Sequence, residues 1–264
     1  MSFKSKALAA AAAMALVGGV GAVGTMSASA ATPSCGPGRI STQGTISGCV
    51  DVFTRQFGTH RDPQFLLDVL RQGAKVGQPI ILFRASNGDP AQDFTVSDQG
   101  SVADFYAAGL VSAALNLHYG DGLATSNQTS ANDEAFELEY TPFGVNSGLC
   151  VGVAATAVQN EGVTLQPCGV SAKTVWVVDT FDLSLPAAFR GYFPLINGSD
   201  TNYSHPFVLN YPSNGYPTDK PRPQLTVKNL SGFSNGFGPV VGTVPNNQLW
   251  SADFGEVCNY FIVP

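Results

Sequence analysis

The chain has 264 residues, of which 12% are charged and 44% hydrophobic, with 29 glycines, 17 prolines and a formal net charge of -6 at pH 7. An acidic balance offers no cationic surface to nucleic acid or to an anionic membrane, and so many turn-formers with so few charges argue against a helical protein. The histidines His60, His118 and His205 are scattered, with no H-E-x-x-H and no paired C-x-x-C, so neither a metal nor another cofactor is expected.

Residues 1–30 read as a secretory signal: Lys4 and Lys6 precede an Ala/Val/Leu/Gly-rich run from Ala7 to Val23, and Ala28-Ser29-Ala30 supplies a small-residue cleavage site. Its removal takes two lysines and no acids, leaving 11 basic against 19 acidic residues, a net charge of -8. The expected location is extracellular, in an oxidising compartment that suits the five cysteines. Residues 31–62 are expected to form a turn-rich extension in which Cys49-Val50-Asp51-Val52-Phe53 is a strand; it mimics the opening motif of the repeat and belongs either to the extension or to the first copy. A single domain is expected over 63–264.

That domain opens on Phe65 to Val96, where three strands are expected: Leu66 to Leu70, Pro79 to Arg84, and one closing on Phe94-Thr95-Val96. A glycine turn (Gly73 to Gly77) and a polar turn (Ser86 to Pro90) reverse the chain between them. The pattern recurs through Leu149 to Val153, Gly162 to Cys168 and Lys173 to Val177. It recurs again through Phe207 to Leu209, Pro223 to Val227 and Asn246 to Trp250. Each copy closes on an aromatic: Phe94, Trp176, Trp250. Such repetition implies a pseudo-symmetric all-β assembly, since one copy has too little apolar face to bury alone. Between copies one and two, residues 97–147 include Val102 to Tyr106 and Ala114 to Tyr119 as expected strands, an exposed loop from Asp121 to Glu134, and the alternating Ala135 to Tyr140. A fourth copy has no place in a threefold, so this stretch is expected to be an insertion or absorbed by its neighbour, and Lys228 to Val244 a second insertion.

In the strands holding Leu67-Asp68-Val69, Ala91-Gln92-Asp93-Phe94 and Asn247-Gln248-Leu249-Trp250, the chain resembles the ricin-type β-trefoil lectins, as a secreted bacterial member. The resemblance covers roughly Phe65 to Phe254 and implies a β-trefoil-like fold with insertions and a carbohydrate-binding, non-catalytic function. In that family the positions of Asp68, Phe83 and Gln92 carry the hydroxyl-binding acid, the stacking aromatic and a turn amide. A carboxylate accepts two hydrogen bonds from a hydroxyl pair while an aromatic face covers the ring's C-H patch. The match is partial, because Ile81 and Ala91 stand where two amides are expected. The acid position reads as Gly152 in the second copy and Val208 in the third, which makes both poor pockets. Asp104 with Asn116 and His118 is a weaker candidate for another site. The resemblance further implies a bridge between Cys150 and Cys168 on neighbouring strands. Cys35 and Cys49 bracket a loop they would staple, and Cys258 is either odd or the partner of one of these two.

An enzyme is not expected. Gly232-Phe233-Ser234-Asn235-Gly236 matches G-x-S-x-G but is followed by no helix and no histidine, and no opposed carboxylate pair stands out. The expected partner is a glycan or polysaccharide, with no nucleic acid and no membrane. The alternative is a protein-binding trefoil such as a secreted protease inhibitor, using Leu123 to Asn132 or Gly232 to Pro239 as its loop.

Overall fold

A computed structural model describes residues 50–59, 62–86, 89–120, 134–179, 191–202, 205–213, 215–217, 222–231 and 244–253. The signal segment, Cys35, Cys49, Cys258, the G-x-S-x-G match and both candidate inhibitor loops lie outside them. Three groups of four strands follow one another: β1 (Asp51–Thr54), β2 (Phe65–Val69), β3 (Ile80–Arg84) and β4 (Phe94–Ser101); β5 (Glu134–Tyr140), β6 (Leu149–Val153), β7 (Val163–Pro167) and β8 (Val175–Val178); β9 (Leu195–Asn197), β10 (Phe207–Asn210), β11 (Thr226–Asn229) and β12 (Trp250–Asp253).

The first and last strand of each group form a barrel. β4 pairs with β5, β5 with β8, β8 with β9, and β12 with β1, all antiparallel. The bridge from Phe193 to Trp250 joins the β9 chain to β12, and the Val50 amide donates to the Phe94 carbonyl at 2.8 Å, which closes the ring. The middle strands form three hairpins, β2-β3, β6-β7 and β10-β11. These meet in rotation: Ile81 bridges Gln224, Thr226 bridges Gly162, and Thr164 bridges Pro79. A six-stranded barrel with a threefold cap of hairpins is a β-trefoil, as the repeats imply.

Inward residues fill the barrel and cap. Leu67, Val69, Ile80, Leu82, Val151, Leu165, Leu209 and Val227 join one apolar cluster with Phe94, Trp176 and Trp250. The closing aromatics occupy equivalent sites: the Trp176 indole N-H donates to the Val151 carbonyl at 2.9 Å and that of Trp250 to the Leu209 carbonyl at 2.8 Å. Cys150 and Cys168 are joined, with Cα atoms 5.0 Å apart.

Two expectations change. The strand before residue 63 is no extension: β1 is the first strand of the first copy and pairs along its length with β12, so the domain includes Val50 to Thr54. Val102 to Tyr106 and Ala114 to Tyr119 are helices, α1 (Val102–Ala107) and α2 (Ala113–Tyr119). Ser101 and Ser112 cap them, their hydroxyls accepting from the amides of Asp104 and Leu115, and these caps outweigh a short apolar alternation that suits either structure. The segment is therefore an insertion between copies. Asp104 is taken up by the α1 cap, bonding Ser101 Oγ at 2.7 Å, while Asn116 and His118 lie on the other helix.

Trp250 ties core volume to a backbone bond, so Trp250→Ala should cost about 3–5 kcal/mol and Trp250→Phe about 1–2, the latter matching what copy one already carries at Phe94. Urea unfolding of the variants measures both, and a Trp250→Phe variant as stable as wild type would show that the indole N-H contributes nothing.

Candidate functional site

In the β2-β3 hairpin, Asp68 stands opposite Ile81 and Leu66 opposite Phe83. Directly opposed residues share a face and alternate residues switch it, so Asp68, Ile81 and Phe83 lie on the side turned away from Leu67 and Leu82. Asp68 and Phe83 are thus diagonal neighbours, as the sequence implies. Asp68 is only 4% exposed, and Phe83 is half-buried. That is more enclosed than a surface pocket requires.

Gln92 is a positioning residue. Its Oε1 accepts from the Ser86 amide at 3.1 Å, and its Nε2 donates to the Arg84 carbonyl at 3.0 Å and, at a long 3.5 Å, to Asp68 Oδ2. Copy three repeats the staple: Gln248 Oε1 accepts from the Ser231 amide at 2.9 Å and its Nε2 donates to the Asn229 carbonyl at 3.0 Å. Copy two has Thr174 there, and Glu137 substitutes. Its carboxylate takes the Gly169 amide at 2.9 and 3.0 Å and the Thr174 hydroxyl, although the sequence places Glu137 beside an exposed loop. Each group fastens the outgoing hairpin strand to the returning barrel strand. Gln92 therefore holds the wall of the site with both ends of its amide and has little capacity for a ligand.

The staples fix which residues correspond, and they move one assignment. The counterpart of Asp68 is Gly152 in copy two, as the sequence suggests, but Asn210 rather than Val208 in copy three. Asn210 pairs with Thr226 just as Asp68 pairs with Ile81 and Gly152 with Thr164. The sequence alignment followed the apolar pattern of Phe207-Val208-Leu209, which runs two residues out of phase. Neither counterpart is open. A Cβ on Gly152 would lie 2.5 Å from the Lys173 carbonyl oxygen, so backbone fills that position. Asn210 is satisfied by Thr226 Oγ1 and Asn247 Nδ2, each at 3.3 Å, and the position of Phe83 is the exposed Lys228.

Asp68 differs from both. A carboxylate has room for about four hydrogen bonds, and the long one from Gln92 is the side-chain bond it receives. Burial is the main reason that its pKa is pushed up to about 7, with the negative charge of Asp89 adding to the rise. The Gln92 bond and the positive charge of Arg222 oppose it. The Tyr140 hydroxyl is buried without a hydrogen-bond partner, and burial, then the charges of Asp68, Asp93 and Asp89, hold its pKa above the usual phenol range. The rim is firmly built. Arg71 and Gln72 both have left-handed backbones (φ 59 and 56), and Gln72 Nε2 donates to Asp89 Oδ1 at 3.2 Å, which also accepts from the Ala91 amide at 3.0 Å.

The face of Phe83 is not free for a sugar. The Arg222 guanidinium carbon lies 3.9 Å from the ring centroid, so the stacking expected there is made by the chain itself. Arg222 had no signal in the sequence, because it precedes β11 in the third copy and reaches the first only through the Ile81-Gln224 bridge. Among the described residues, no group of three or more His, Cys, Asp or Glu side chains is placed to hold a metal.

No protein-family model matches the chain. No sequence relative matches among curated proteins. Among solved structures it is similar to the designed threefold symmetric protein ThreeFoil, at 14% identity over 78% of this chain and 97% of that one, TM-score 0.45. An exo-beta-1,3-galactanase from Clostridium thermocellum matches at 12% identity over 81% of this chain and 31% of that one, TM-score 0.45. The Rhizoctonia solani agglutinin matches at 16% identity over 80% and 98%, TM-score 0.40.

A carboxyl whose folded pKa lies above its unfolded one binds its proton more tightly when folded, so its contribution favours the fold at low pH and is lost as pH rises from about 4 through 7. Asp200, also raised by burial, adds to the same slope. Asp68→Asn should therefore match wild type near pH 4 and exceed it at pH 8, by on the order of a few kcal/mol at most. Thermal melts across pH check this, and a variant less stable at pH 8 would show that Asp68 is satisfied in the fold.

Proposed function

We propose that the chain is a secreted, non-catalytic carbohydrate-binding protein whose site is the outer face of the β2-β3 hairpin, with Asp68 as the residue that accepts ligand hydroxyls. The observation that supports this is the bonding deficit of Asp68. A buried carboxylate with one long hydrogen bond costs stability, whereas its two counterparts are filled or satisfied. A hydroxyl pair donating to Asp68 would supply the missing bonds and draw its pKa back down. Phe83 supports this wall. A single shallow site of this kind holds a sugar at about the millimolar level, roughly -4 kcal/mol, so retention on a polysaccharide needs several contacts at once.

The test is a glycan array carrying galactosides, xylans, arabinans and cell-wall glycans, probed with the mature protein and with Asp68→Asn. Wild type should bind at least one class, and the variant, confirmed folded by its melt, should lose about tenfold or more. An array silent to wild type would contradict the reading, and equal binding by the variant would remove Asp68 from it.

A further inference from the structure

Arg222 presents the opposite chemistry to Asp68 on the same face. Its guanidinium carbon lies over the Phe83 ring, 3.9 Å from the centroid, its Nε is buried without a hydrogen-bond partner, and among the described residues no ion pair joins it to Asp68, although its charge is felt there. A guanidinium has five N-H donors and no acceptor, and an ionised carboxylate is acceptor-only. Arg222 covers Phe83, the diagonal neighbour of Asp68 on that face, and both charged groups have donor or acceptor capacity unspent. A hydroxyl group is the ligand chemistry that answers both, since each one donates and accepts.

We infer that Arg222 is a ligand-binding and specificity residue, which donates to the same sugar hydroxyls, or to their immediate neighbours, that donate to Asp68. The ligand class is a neutral saccharide presenting adjacent hydroxyls, which deepens the carbohydrate reading and rests on it. The charges felt at Asp68 lean against an acidic sugar: the carboxylates of Asp68 and Asp89 oppose an anion, and Arg222 favours one. The role of Phe83 changes accordingly. Rather than a platform for the sugar ring, it is a support on which the guanidinium rests, which lowers the rotamer cost of aiming a long side chain.

The proposal separates from a covering role for Arg222 by direct titration. Wild type, Arg222→Lys, Arg222→Ala and Asp68→Asn are titrated, with amide chemical shifts as readout, against methyl galactoside, methyl glucoside, methyl mannoside, methyl arabinoside and galacturonate. One or more neutral glycosides should bind wild type, with Arg222→Ala weakened about tenfold or more, Arg222→Lys intermediate, and galacturonate weaker than its neutral counterpart. Unchanged or tighter binding by Arg222→Ala would overturn the inference and leave the carbohydrate reading standing, because Arg222 would then merely cover Phe83. Stronger binding of galacturonate would overturn the assignment to neutral sugars. A wild type unmoved by every glycoside would remove both.

Discussion

The backbone bonds that join the three hairpins around their common axis constrain everything else in this protein. The Leu165 amide reaches the Gln78 carbonyl at 2.9 Å, that of Leu225 the Ile80 carbonyl at 2.8 Å, and that of Val163 the Leu225 carbonyl at 2.8 Å. A hairpin alone is marginal in water, but three in rotation satisfy one another's edges and cap the barrel with their inner faces. The same rotation leaves each hairpin one outer face of equivalent geometry.

The three faces have diverged in a way that the bonding explains. Copy two presents Gly152, whose missing Cβ lets the chain near Lys173 pack against the strand. Copy three presents amides that satisfy one another, Asn210 with Asn247 and Thr226. Copy one presents a buried acid to which the fold gives one long hydrogen bond, from Gln92. Holding such a group lowers stability at neutral pH, and proteins keep that kind of cost where a ligand removes it.

The hairpin strands and the closing strand of each copy were legible because period-two alternation and glycine or polar turns recur around Phe94, Trp176 and Trp250, whereas β1 read as part of an extension and the three-residue β9 is too short to carry a pattern. The two helices were not, because Val102 to Tyr106 alternates over too few residues to tell a strand from a helical turn, and the serine caps decide it. That Asp68 and Phe83 share one face of one hairpin was legible from strand alternation, while their roles came only from the resemblance to the lectins. The role of Gln92 as a staple became visible only beside Gln248 and the Glu137-Thr174 pair, which makes the same connection from two strands distant in sequence. Arg222 illustrates the remaining gap. It belongs to copy three and works in copy one, and no local pattern records a contact made through the axis.

The measurement that bears most directly on this account is the titration of the Asp68 carboxyl carbon by nuclear magnetic resonance, with and without a bound sugar. A site starved of donors and waiting for hydroxyls predicts a free-protein pKa near 7 that falls when sugar binds. A value near 4 in the free protein, unmoved by any sugar, would mean that Asp68 is already satisfied and that the binding face lies elsewhere.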